Sequence, residues 1–161
     1  MNHIWAGRML LRASPALRER YLACGDRIGP GAACVGAISG ELLRQVGLWL
    51  LLDEPDDRRP FARTRGVLRF PSDVTPAALA KAVNALTALT TEYLQGLPGV
   101  PDEIDTRARR ALRHAGSAML EILRALRSGE PPAEILGRIF GGAPLLAFAA
   151  GPRPAVRCAP S

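Results

Sequence analysis

DEIDTRARRALRHAGSAMLEILRALRS, residues 102–128, is the stretch whose reading decides the fold. Ile104, Ala108, Ala111, Leu112, Ala115, Met119, Ile122, Leu123 and Leu126 return at steps of three and four. At about 100° per residue they form a stripe about 120° wide, the mark of a helix with one buried side. The opposite side carries Arg107, Arg109, Arg110, Arg113 and His114. Asp102 is the expected N-cap, with Glu103 and Asp105 in the first turn, where the helix dipole favours negative charge. Arg124 and Arg127 stand at the far end, where positive charge is favoured, and Gly129 stops the helix. Arg107, Arg109, Arg110 and Arg113 lie too early for that explanation. Glu103 and Asp105 are within helical reach of some of them, worth about a few tenths of a kcal/mol per pair. The expectation is four guanidinium groups turned outward without carboxylates to quench them.

Working outward, the same periodicity recurs on both sides. Residues 75–95 predict a helix capped by Thr75, with Pro76 at its first position and Gly96 past its end. Leu79, Val83, Leu86, Thr90 and Tyr93 are its buried stripe, with Ala82 and Leu89 beside it. Many Ala and Thr on the rest of it give a smooth, nearly uncharged surface suited to another chain. Residues 32–52 predict a helix on Val35, Ile38, Leu42, Val46 and Trp49, apolar nearly all round at its end and therefore central. Gly36 and Gly40 would admit a close helix crossing; Glu41, Arg44 and Gln45 interrupt the apolar run and favour a soluble one. Residues 3–24 predict helix in one or two pieces, with Ser14-Pro15 as a cap and first-turn pair, Arg18, Glu19 and Arg20 exposed, and Leu17, Tyr21, Leu22 and Cys24 on one face. Pro131 and Pro132 open a last short helix with Ile135, Leu136, Ile139 and Phe140. Gly141 to Ala150 reads as a loosely structured apolar lid.

Residues 53–71 break the helical pattern and predict a projecting loop. Asp53, Glu54, Asp56 and Asp57 run into Arg58 and Arg59, a solvated cluster that partly neutralises itself rather than a hard-cation site. Phe61, Arg63, Arg65, Arg69 and Phe70 follow, interleaving guanidinium with aromatic rings as phosphate- and base-contacting loops do. The competing reading is a short hairpin with Val67, Leu68 and Phe70 packed on the helices.

Composition agrees with packed helices. Apolar residues are 48% and aromatics only 5%, so the core must be aliphatic. A chain of this length buries about 70% of its unfolded surface, enough for one helical domain over residues 1–150, leaving 151–161 as a mobile Pro-rich tail. Twenty-one basic residues against fifteen acidic ones give a net charge of +6, consistent with an anionic partner. Cys24, Cys34 and Cys158 have neither disulfide nor zinc spacing, which points to a reduced, cytoplasmic setting. No signal peptide, spanning helix or membrane partner is expected.

No nucleophile motif, metal spacing or cofactor loop is present, and the glycines of residues 25–31 lack the phosphate-loop pattern. His114 has arginine neighbours and no partner base, so an enzyme is not expected and no cofactor is assigned.

Arg107-Ala108-Arg109-Arg110-Ala111-Leu112-Arg113, followed by Leu123-Arg124-Ala125-Leu126-Arg127 and a short closing helix, resembles the small-subunit family of multi-subunit CRISPR effector complexes. The resemblance covers that region in pattern and the rest in length and class. It implies a non-catalytic helical bundle lining a nucleic-acid path.

The sequence therefore predicts an all-α, compact bundle of four to five helices with one long Arg-rich loop. Its expected role is a non-enzymatic subunit contacting an RNA or DNA backbone, sequence-blind, alongside other protein subunits and with self-association open. Arg107, Arg109, Arg110, Arg113, His114, Arg58, Arg59, Arg63, Arg65 and Arg69 are the candidate contacts. The alternative is a protein–protein adaptor or immunity-type module acting through the smooth face of 75–95 and the 142–150 lid.

Overall fold

Along the chain run α1 (Asn2–Ala23), α2 (Gly25–Ile28), α3 (Gly31–Leu51), α4 (Arg59–Ala62), β1 (Gly66–Phe70), α5 (Pro76–Gln95), α6 (Asp102–Arg127), α7 (Pro132–Phe140) and β2 (Leu146–Ala150). The computed structural model describes residues 2–140 and 146–150. The fold is the helical bundle that the periodicity requires, with one small parallel sheet added. The tail at 151–161, with Cys158, lies outside the described residues, as does the first half of the expected 141–150 lid.

α3 is the central element. Val35, Ile38, Leu42, Leu43, Val46, Trp49 and Leu50 are all buried, packed against α1, α5 and β1. It is the one helix among the described residues long and apolar enough to cross a membrane. That apolarity is consumed inside the bundle, where most of it is buried. The close crossing expected at Gly36 and Gly40 exists: α1 lays Leu22 over Gly36 and Arg18 over Gly40. Backbone meets backbone at Gly7, where a Cβ would sit 2.6 Å from both the Gly47 oxygen and the Leu51 nitrogen.

α1 is one helix, not two. Ser14-Pro15 does not start a new one, because the proline defect is repaired locally. Pro15 has no N–H for the Leu11 carbonyl four residues back, and the Ser14 hydroxyl donates to that oxygen at 2.9 Å. Leu17 and Tyr21 face the core as expected; Leu22 is exposed.

α5 begins as predicted, with Thr75 Oγ1 accepting from the Ala78 N–H at 3.0 Å. α6 does not. Pro101, in extended conformation, holds the N-cap position and Asp102 is already helical, so the acids act on the first turn by charge rather than by capping. The aliphatic stripe from Ile104 to Leu123 is buried throughout, and Leu126 is half-buried.

The 53–71 segment is not a projecting loop. It holds α4 and β1, with Phe61, Leu68 and Phe70 buried and Val67 exposed. The packing of Leu68 and Phe70 is that of the hairpin reading, yet the partner strand comes from the far end of the chain. β1 pairs in parallel with β2, Gly66 opposite Leu146 and Phe70 opposite Ala150. Residues 146–150 are thus a strand rather than a loose lid. Leu146 is buried with Leu68, which seals the edge of the core.

Candidate nucleic-acid interface

The structure divides the ten predicted contact residues instead of assembling them. Five are engaged by four carboxylates. Arg107 leaves the outer face of α6 and folds back onto the end of α3, its side chain only 17% exposed. Its guanidinium lies 4.7 Å from the Trp49 ring centroid. It also donates to Asp53 Oδ1 at 2.6 Å and to the Glu54 carbonyl at 2.7 Å. α3 ends just before this point, and Asp53 turns the chain with φ 52°. A cation is favoured at that helix C-terminus by the last carbonyls and by the indole face.

Arg109 is held along its own helix, 2.8 Å from Asp105. Arg58 bonds Asp56 at 3.0 Å, and the hydrogen bonds from Arg58 hold that carboxyl below its ordinary range. Arg63 and Arg59 share Glu54, at 2.8 and 3.8 Å. The acidic run at 53–57 therefore quenches its own arginines, as its composition suggested, and takes Arg107 as well. The expectation of four unquenched guanidinium groups on α6 fails for two of them.

His114 is set apart from the outer row of α6. It is half-buried at a hollow of about 260 Å³ that includes Arg58, Phe61, Ile139 and Phe140. Burial is the main reason its pKa falls below the ordinary value; Arg58 adds to the fall, while Asp57 and Asp56 oppose it. Phe61 stacks on Phe140 with centroids 5.6 Å apart. Phe61 and Phe70 are thus core side chains, which removes the base-stacking role foreseen for the segment.

Arg65, Arg69, Arg110 and Arg113 remain exposed and form no ion pair among the described residues. Arg65 lies on the β1 side near Glu41 of α3, whose carboxyl is held low, against the effect of its burial, mainly by hydrogen bonds from Arg44 and Gln45 and least by the charge of Arg65. Arg110 and Arg113 face outward from α6. Arg124 falls in the same sector, about 60° wide, and continues the row about 16 Å farther along the helix. Glu121 interrupts this row but is taken by Arg138 of α7 at 3.2 Å. Arg113 also borders a hollow of about 250 Å³ between α5 and α6, shared with Arg109, Asn84, Thr87 and Ser117. Asn84, Thr87 and Ser117 offer neutral hydrogen-bonding groups beside Arg113, while Ala80, Val83 and Leu120 make much of the remaining lining apolar.

Arg124, whose place near the helix end the dipole accounts for, is exposed in this row. Among the described residues no group of three His, Cys, Asp or Glu could hold a metal ion. Cys34 is buried and its thiol is pushed up to about 12, so it stays protonated and unreactive near neutrality.

No family model, curated protein or solved structure matches this chain.

Proposed function

We propose that this chain is a non-enzymatic helical subunit that contacts a nucleic-acid backbone, through a smaller surface than its arginine count suggests. The contacts are Arg110, Arg113 and Arg124 on the outer row of α6. Arg65 and Arg69 would form a second, separate contact. The observation that carries this reading is the Arg110–Arg113 pair. These two guanidiniums stand about one helical turn apart, exposed, with no carboxylate engaged to either among the described residues. A cytoplasmic setting, the company of other protein subunits and the kinship implied by the CRISPR small-subunit resemblance belong to the same proposal.

Binding of this kind releases counterions, so affinity falls with salt. Three phosphate contacts on a single strand give a log–log slope of about −2. Anisotropy titration of a single-stranded oligonucleotide across a salt series should show that slope. The double substitution Arg110→Ala and Arg113→Ala should flatten it by about 1.4. A flat dependence in the wild type, or no binding at low salt, removes the reading. The adaptor alternative is favoured by a different feature, the groove on the far side of α5.

A further inference from the structure

We propose that the groove between α1, α2 and α5 is a docking site for an acidic amphipathic helix of a protein partner. The groove encloses about 440 Å³. Its floor is apolar, made by Ile28, Ala85 and Leu89, and Tyr21 closes it from below. The tyrosine contributes no free polar group there, since its hydroxyl donates to the Ala82 carbonyl at 2.8 Å. The rim carries Arg20, Arg27 and Lys81 against a single carboxylate, Glu92. Glu92 lies 3.8 Å from Arg20, which leaves two cations of the rim in excess. Arg27 is held at the α1–α2 junction by its bond to Cys24 Sγ at 3.2 Å.

Shape and charge together select the occupant. From Lys81 to Glu92 the α5 wall runs about 16 Å, three turns of helix, longer than a compact small molecule needs. Ala85 and Ala88 are small, so a second helix can approach the α5 backbone closely. The apolar floor suits a ridge of anchors at i, i+3, i+4 and i+7. The cationic rim suits carboxylates on the two flanks of that ridge and repels a basic helix. A nucleic-acid backbone would leave the apolar floor uncovered. This inference does not depend on the α6 reading, because the groove uses a different side of α5.

The test uses the full chain and a designed three-turn peptide, leucine on one ridge and glutamate on both flanks, with a version in which every glutamate is lysine. Amide chemical-shift mapping should move Ile28, Lys81, Ala88 and Leu89 with the acidic peptide and not with the basic one. Arg27→Glu with Lys81→Glu should weaken binding about tenfold or more. Ala88→Trp, at an exposed position, should block the groove while leaving the fold intact. Both variants are checked by their circular dichroism and melting. Equal binding of the basic peptide, indifference to all three substitutions, or no shift at millimolar acidic peptide overturns the proposal. So does displacement of the acidic peptide by a single-stranded oligonucleotide or by anionic phosphatidylserine vesicles at these same amides.

Discussion

Arg107 shows how one side chain changes meaning between a helix face and a structure. On α6 alone it is one more outward cation; in the fold it braces the end of α3 through Trp49 and the Glu54 carbonyl. Arg107→Ala should therefore lower stability by about 1–2 kcal/mol. Arg107→Lys should recover only part of that, because a compact ammonium lacks the planar fork. Urea midpoints measure both, and an unchanged midpoint for the alanine variant would sink the assignment. The same variant should leave the salt slope of oligonucleotide binding as it is. His114 gives a pH-dependent counterpart. Its folded pKa is depressed, mainly by burial. Below about pH 6.5 the unfolded chain binds a proton that the folded chain refuses, so stability should fall as pH drops through that value toward the folded pKa. Equilibrium unfolding at pH 7 and pH 5 should show the fall, and His114→Gln should reduce it. An identical pH dependence in that variant would locate the effect elsewhere.

At the scale of elements, backbone proximity sets the strictest demands. Gly7→Ala places a methyl against the backbone of Gly47 and Leu51, atoms that cannot rotate away. It should cost about 1–3 kcal/mol or more. Gly137→Ala on α7 meets nothing within 4 Å and should stabilise by about 0.5–1 kcal/mol. Thermal melts of the two variants should move in opposite directions; an unchanged or raised melting temperature for Gly7→Ala would mean the α1–α3 crossing is looser than described. These elements also mark what a linear reading can and cannot reach. The helices were legible because their information is local: the three-and-four spacing from Ile104 to Leu123, and Thr75 before Pro76. The strand pair was not, because β2 is Leu-Ala-Phe-Ala-Ala and acquires its structure only from β1, eighty positions earlier in register. The site was half legible for the same reason. Arg109 with Asp105 is a local pair and was foreseeable, whereas Arg107 with Asp53 joins α6 to a turn 54 residues away. The outward direction of Arg110 and Arg113 was read correctly because helical periodicity alone determines it.

On the scale of the whole molecule, α5 separates the two proposed surfaces. Ala80, Asn84 and Thr87 face the hollow shared with α6, while Lys81, Ala85 and Ala88 face the groove shared with α1 and α2. Charges on opposite sides of a helix about 10 Å across are more than a Debye length apart at physiological salt, about 8 Å. Substitutions without shared partners combine additively to within about 0.5 kcal/mol. Arg110→Ala with Arg113→Ala should then leave acidic-peptide affinity within about twofold of wild type. Arg27→Glu with Lys81→Glu should leave the oligonucleotide salt slope unchanged, since none of its phosphate contacts is touched. Saturating peptide should likewise leave oligonucleotide affinity within about threefold, so a ternary complex forms. Titrations of each variant with each ligand, and of one ligand in the presence of the other, measure all three. Strong competition would show that both ligands use one continuous cationic surface, and the division of labour across α5 would have to be given up.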